Sequence, residues 1–284
     1  MKHVKILVPD ASEALFGPMW PGLFARLAAP LEAAGLKATS QPWTAADADG
    51  DLILPLLAWG YHHDPARWYA LVDSLEAKGA RVANPFSVLR WNADKLYLER
   101  LGQAGAPTVP SIAVERLSET VLDQARAAFG ADRLVVKPRI SGGGHKTVRI
   151  EPGQTLGDDA PTGPALIQPY LPAVEGEGEL SLFYFGRRFS HAVAKVAKAG
   201  DFRVQPQFGG SSVAVDPEPA ARATAEAVLA KVAETLLYAR IDLIRGLDGA
   251  WALMEAELIE PDLFLQFAPD HGAAYAQAVV EAAG

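Results

Sequence analysis

Residues 133–150, Arg133-Leu134-Val135-Val136-Lys137-Pro138-Arg139-Ile140-Ser141-Gly142-Gly143-Gly144-His145-Lys146-Thr147-Val148-Arg149-Ile150, run an apolar strand into a glycine-rich loop and out into a second strand. Three successive glycines let backbone amides approach a phosphate that larger side chains would hold off. The loop is not a Walker A loop, because His145 separates Gly144 from Lys146 and a strand, not a helix, follows. A flexible hairpin connection would account for the glycines alone. Lys137 shifts the balance, since an ammonium at the end of an apolar strand is costly to bury unpaired.

A second hairpin carries carboxylates. In Arg240-Ile241-Asp242 the strand period of two puts Arg240 and Asp242 on one face, and in Glu255-Ala256-Glu257 it does the same for the two glutamates. If the turn Gly246-Leu247-Asp248-Gly249 sets Asp242 opposite Glu255, all three carboxylates converge. Two such charges ~4 Å apart repel by about 4 kcal/mol at an effective dielectric near 20, so three require a cation or abundant solvent. Hard oxygen ligands beside a polyphosphate favour Mg2+, and a solvated acidic strand face is the other reading.

Two further segments have the right chemistry for a nucleotide and its substrate. Gln168-Pro169-Tyr170-Leu171 ends a strand before Glu175-Gly176-Glu177-Gly178-Glu179, where exposed backbone can meet an adenine edge and a carboxylate can take ribose hydroxyls; an ordinary loop would look the same. Arg203, ahead of Gly209-Gly210, has the fork that suits a phosphoryl group or a substrate carboxylate, or is a surface side chain. Successive His62 and His63 cannot share one face of a strand or helix, which argues against a histidine metal centre, and no Ser-His-Asp signature occurs.

Around these motifs the first ~90 residues alternate strand and helix: strands 3–8, 51–58 and 81–83, helices 22–34 and 65–78 ended by Gly35 and Gly79. This predicts a small parallel α/β unit with function at its strand ends, where Trp59-Gly60-Tyr61-His62-His63 sits. A helix is expected over 88–102, then neighbouring strands at 133–137, 146–150, 165–168, 179–185 and 189–196, a helix over 219–237, the hairpin 240–245 and 250–259, and a last helix over 271–283. The second part therefore reads as α+β with antiparallel sheet.

Composition narrows the function class. At 284 residues the chain suggests two closely joined domains, and 50% apolar with 21% charged residues is ordinary globular usage. Without cysteine there is no disulfide, thiolate metal site or Cys nucleophile, and a cytoplasmic protein fits best. No apolar run approaches the ~20 residues that span a bilayer, and the N-terminus lacks the pattern of a secretory signal. The net charge of −8 argues against a general nucleic-acid binder. Between Arg133 and Arg203, however, ten basic residues outweigh seven acidic ones, whereas from Asp242 onward eight acids face only Arg245, a division that suits a polyanion and its divalent metal.

Taken in order, the Lys95 helix, Val-Val-Lys137-Pro, the glycine-rich loop, Gln168-Pro-Tyr-Leu, Glu179-Leu-Ser, Phe-Arg203 with Gly209-Gly210, Arg240-Ile-Asp242 and Glu255-Ala-Glu257 resemble the ATP-grasp superfamily over essentially the whole chain. Within it the sequence resembles the glutathione synthetase-like branch, and Trp59-Gly-Tyr-His and Glu255-Ala-Glu-Leu-Ile-Glu260-Pro are similar to segments of the ligases that close the ring of D-cycloserine.

The resemblance implies an ATP-grasp fold with a Rossmann-like N-terminal domain (1–90) on the substrate side. The ATP-grasp domain would follow (91–284), with a lid at about 106–170 and a C-terminal part at about 171–284. It further implies Lys95, Lys137 and the loop Ser141, Gly142, Gly143 and Gly144 on the phosphates, Gln168, Pro169, Tyr170 and Leu171 along the adenine, and Glu179 on the ribose. Asp242, Glu255 and Glu257 would bind Mg2+, with two ions expected. Arg203, Arg240 and Lys137 would act on the reacting groups, with Trp59, Tyr61, His62, Arg203, Gly209 and Gly210 around the substrate. Many relatives have Asn where Glu257 stands. The implied reaction is ATP-dependent activation of a small-molecule carboxylate as an acylphosphate for attack by an amine, as ligation or cyclisation. A kinase or a non-catalytic nucleotide-binding module is the alternative. Neither nucleic acid nor membrane is an expected partner, and a homo-oligomer is left open.

Overall fold

The computed structural model describes residues 1–10, 12–13, 16–196 and 209–284. They form three sheets. The first is parallel, with strand order β2-β1-β3, built from β1 (His3–Val8), β2 (Lys37–Pro42) and β3 (Leu52–Leu54). Between β1 and β2 runs α1 (Trp20–Ala33), and α2 (Pro65–Ala77) follows β3. Strand β3 is shorter than the apolar run 51–58 predicts: Pro55 has no N–H for a ladder, and Leu56 and Leu57 turn inward as fully buried side chains instead. The expected strand 81–83 is reduced to one bridge, Val82 to Ile53. Strand β2 has no counterpart in the sequence pattern, because Lys-Ala-Thr-Ser-Gln-Pro lies at the sheet edge and carries no apolar alternation.

The helix expected over 88–102 is two helices, α3 (Phe86–Trp91) and α4 (Leu96–Gln103). Side-chain hydrogen bonds cause the break. Asn92 Nδ2 donates to Ala256 O (2.8 Å) and Asn92 Oδ1 accepts from Leu258 N (2.9 Å), while Asp94 Oδ1 accepts from Leu96 N (2.9 Å). Lys95 is left at the head of α4.

A four-stranded antiparallel sheet follows, order β4-β7-β5-β6, from β4 (Ile112–Val114), β5 (Leu134–Pro138), β6 (Val148–Ile150) and β7 (Ala165–Pro169). Helix α5 (Glu119–Phe129) packs beneath it. It is absent from the elements expected above, although both its ends carry local signals: Ser118 Oγ caps it by accepting from Val121 N, and Gly130 (φ 62°) stops it.

The third sheet, order β10-β9-β8-β11-β12, consists of β8 (Glu179–Phe185) and β9 (Arg188–Val196), which begin after the short α6 (Ala173–Gly176), then β10 (Ser211–Val215), β11 (Tyr238–Arg245) and β12 (Trp251–Glu257). Helix α7 (Pro219–Leu229) ends eight residues before the expected Leu237. Val232 and Leu236 are nonetheless buried, so a helical apolar period runs on into turns that bury the same residues. Helix α8 (Ala273–Ala283) packs on α1, and one apolar cluster joins it to β1, β3 and the outer face of β8 and β9. Among the described residues no helix is long and apolar enough to cross a membrane.

Asn84 ties the first sheet to the third. Fully buried, it donates from Nδ2 to Tyr238 O (2.9 Å) and Leu258 O (2.8 Å) and accepts at Oδ1 from Leu237 N (2.7 Å). Asn84→Ala strands these backbone groups, and we expect it to lower unfolding free energy by about 3 kcal/mol in urea titrations. A change below about 1 kcal/mol would show that water replaces the amide.

Candidate active site

One cavity lies between the four-stranded sheet, the five-stranded sheet and the loop after β3. From β5 comes Lys137. Its aliphatic stem is buried, its ammonium faces the cavity, and among the described residues it has no ion-pair or hydrogen-bond partner. Burial, with Lys95 nearby, brings that ammonium down to about 8. Lys95, placed by the helix break, donates to Ser141 O (2.9 Å) and Glu255 Oε1 (2.6 Å) and so links the glycine-rich loop to β12.

The opposite wall is a buried ion network. The hairpin register is the one the period-two argument required: Asp242 pairs with Glu255 and Arg240 with Glu257, with a bulge after Asp242. Asp242 accepts from Arg240 Nε (3.0 Å), Arg240 Nη2 (2.9 Å), Lys195 Nζ (2.8 Å) and Ser181 Oγ (2.6 Å). Burial opposes its charge, but Arg240 and Lys195 hold its carboxyl well below the usual carboxylate range. Arg240 also bonds Glu257, and Lys195 bonds Glu179 (3.1 Å). Glu255 is held low against burial by Lys95 and Lys137. Glu257 is pushed up to about 7 by burial and by Asp242 and Glu255, although Arg240 pulls it down.

Lys195 is not among the residues singled out from the sequence, although a lysine within the apolar strand His-Ala-Val-Ala-Lys-Val is the signal that marked Lys137. Its placement depends on Gly178. With φ at 77°, a Cβ there would stand 2.0 Å from Lys195 O, and the next residue, Glu179, pairs across the sheet with Lys195.

The other residues expected at the site divide between the cavity wall and positions away from it. Gly142, Gly143 and Gly144 line the cavity beside Ser141. Gln168, Pro169, Tyr170 and Leu171 line its far side; Gln168 Nε2 is spent on Ser111 Oγ (2.9 Å) and Tyr170 N on Arg133 O (2.9 Å), so neither is available to a ligand in this arrangement. Trp59 and Tyr61 line the near side, Tyr61 stacked on Trp68 at 4.9 Å. His62 packs against the glycine-rich loop, so closely that a Cβ on Gly142 would lie 3.1 Å from Nδ1. Burial holds its imidazole down to about 3. A tight turn after Gly60 sets the His62 and His63 rings 4.1 Å apart, near His145. Gly209 and Gly210 do not line the cavity, and Arg203 lies outside the described residues.

Among the described residues no three His, Asp or Glu side chains form a ready-made metal cage. Mg2+ does not need one, since it is usually held by one or two carboxylates together with phosphate oxygens and water. Among the described residues six carboxylates line the cavity (Glu179, Asp242, Glu255, Glu257, Glu260 and Asp262) against four cations (Lys95, Lys137, Lys195 and Arg240), and burial with the charges of Asp242 and Glu255 raises Glu257 despite Arg240. The chemistry of this donor set fits a divalent cation, for which Asp242, Glu255 and Glu257 could supply oxygen ligands.

The family model of the D-cycloserine synthetase DcsG N-terminal domain matches residues 15–84. The cycloserine biosynthesis protein DcsG of Streptomyces lavendulae is 33% identical over 242 residues, 78% of this chain and 80% of that protein. A glutathione synthetase of Ralstonia nicotianae is 27% identical over 211 residues, 71% of this chain and 61% of its own. The crystal structure of D-cycloserine synthetase DcsG superposes with a TM-score of 0.85 at 25% identity, covering 99% of this chain and 100% of that one. The protein is thus an ATP-dependent, C–N bond-forming ligase, and the chain belongs to the ATP-grasp superfamily, in the glutathione synthetase-like branch and alongside DcsG.

Proposed function

We propose that this ligase phosphorylates a small-molecule carboxylate with ATP and passes the acylphosphate to an amine, releasing ADP and phosphate. The observation that carries the reading is Lys137: a buried ammonium with no partner among the described residues, facing a cavity beside a triple-glycine loop, calls for an anion. Lys95 and Lys137 hold the phosphates, with Ser141, Gly142, Gly143 and Gly144 closing over them. Gln168, Pro169, Tyr170 and Leu171 flank the adenine through backbone and apolar surface, and Glu179 takes the ribose. Arg240, with Arg203, faces the phosphoryl group and the carboxylate in transfer. Such chemistry needs positioning and charge stabilisation more than a nucleophilic side chain.

Asp242, Glu255 and Glu257 would hold Mg2+, two ions in this reading, which when bound neutralises charge on the phosphates. Residues 1–90 form the substrate-side domain and 91–284 the ATP-grasp domain, with the lid at about 106–170 and the C-terminal part at about 171–284. Trp59, Tyr61 and His62 border the substrate, and Gly209 and Gly210 are assigned to it by the resemblance alone. The relative's part in making cycloserine, a cyclic product, supports cyclisation, with carboxylate and nucleophile in one molecule. ATP as co-substrate suits work in the cytoplasm.

The test is ADP release from MgATP with pooled L- and D-amino acids plus hydroxylamine, which captures an acylphosphate as a hydroxamate. ADP with hydroxamate supports the reading; ATP binding without ADP release from any pool overturns it. Within the same assay, Glu257→Gln is expected to raise the Mg2+ needed for half-maximal ADP release well above that of Glu177→Gln. Glu177 is exposed and among the described residues pairs only with Arg245 at 3.5 Å, so its charge is screened by water. The reverse order would move the metal site away from the hairpin.

A further inference from the structure

One cavity carboxylate is unused by the phosphate and metal chemistry. Glu179, Asp242, Glu255 and Glu257 each sit in an ion pair, and Asp262 accepts from Phe264 N (2.9 Å). Among the described residues Glu260 alone of the six has neither a cation within ion-pair distance nor a backbone N–H on its carboxyl. Its side-chain neighbour is the buried Tyr61 on the loop after β3. It stands where that loop meets the end of β12, on the substrate side of the cavity.

The backbone beneath it is clamped. Leu258 N is held by Asn92 Oδ1 (2.9 Å) and Leu258 O by Asn84 Nδ2 (2.8 Å). Ile259 O accepts from the Tyr238 hydroxyl (2.7 Å) and Glu260 O from Trp59 Nε1 (2.9 Å). Four side chains from three parts of the chain thus fix three successive residues and aim one carboxyl into the cavity, the preorganisation that a group acting on a reacting atom requires.

We propose that Glu260 is the catalytic base of the second half-reaction, taking the proton from the attacking nitrogen. The inference rests on the acylphosphate reading above. The nitrogen lone pair forms the C–N bond, the C–O bond to phosphate breaks with its electron pair leaving on the phosphate oxygen, and the proton that the nitrogen must lose passes to the Glu260 carboxylate. Its basicity suits that proton transfer, because burial and the charge of Glu257 push the carboxyl up to about 8, against the opposing pull of Lys95 and the Tyr61 hydroxyl. Among the described residues the charged or titratable groups that face it are Tyr61, Lys95, Tyr238, Glu255 and Glu257, and of these Lys95 and Glu255 are already paired with each other.

Glu260→Gln keeps the shape and loses the proton acceptor. With MgATP and the amino-acid pools, the variant is expected to form amide about 10²–10³-fold more slowly than wild type. Hydroxamate formation should fall far less, because hydroxylamine nitrogen, once attached to the carbonyl, is acidic enough to give its proton to water. Wild-type amide formation should rise with pH through an acid limb that the variant lacks. Equal loss of amide and hydroxamate would overturn the assignment, since Glu260 would then serve the first half-reaction or the fold; unchanged amide formation would overturn it too. If wild type itself yields no hydroxamate, the ligase mechanism fails and the base goes with it. Should Glu260→Gln lose ATP binding by calorimetry, Glu260→Asp decides: a slower rate with the acid limb kept supports the base, and a flat profile overturns it.

Discussion

Asp242→Ala is expected to destabilise the protein by about 3 kcal/mol in urea titrations and to abolish MgATP turnover. The stability loss follows from burial. Asp242 is 2% exposed and shares its two oxygens among Arg240, Lys195 and Ser181. Removing one partner of a buried ion pair commonly costs about 3–5 kcal/mol, because the other charge stays desolvated. Here the lower end applies, since Arg240 retains Glu257 and Lys195 retains Glu179. Asp242→Asn, which keeps the shape without the charge, should lose turnover as fully with a smaller loss of stability. A loss below about 1 kcal/mol for the alanine variant would mean that water already screens the network.

Lys137→Met should separate stability from binding in the opposite sense. A charge-assisted hydrogen bond to phosphate contributes about 1.5–3 kcal/mol, so ATP affinity by calorimetry should fall roughly 10- to 150-fold. Folding should not suffer. The ammonium is buried with no ion-pair partner among the described residues, and burial puts its folded value, about 8, below the ordinary 10.5. Between those two values the unfolded chain binds more protons than the folded one, so wild-type stability rises with pH from about 8 to 10.5. At neutral pH the charged lysine therefore opposes folding, and methionine, of similar length, should match or exceed the wild-type melting temperature. That advantage should shrink as pH climbs through the same window. Normal ATP affinity in the variant would make Lys137 a structural residue and remove the main support for the phosphate site.

Much of this is legible in the chain. Period two predicts that Arg240 and Asp242 share one face of β11 and Glu255 and Glu257 one face of β12, because alternation along a strand is local; that Asp242 meets Glu255 and not Met254 is decided by the bulge after Asp242. Lys137 is legible because a lysine in an apolar strand is an energetic anomaly wherever it lies. Order along the chain, a one-dimensional property, identifies the superfamily.

Other features are settled by contacts between residues far apart in sequence. The break between α3 and α4, which sets Lys95, comes from Asn92 bonding to β12, 164 residues away. The end of α7 at Leu229 is hidden because turns bury Val232 and Leu236 as well as a helix would. Glu260 enters the sequence reading only as part of a segment similar to other ligases, with no role of its own; its lack of an ion-pair partner among the described residues arises only when the loop after β3, helix α4 and the five-stranded sheet enclose one cavity. Spacing along a strand or turn fixes neighbours a few ångströms apart, whereas desolvation and charge pairing depend on everything that folds around a group, and no local pattern records that.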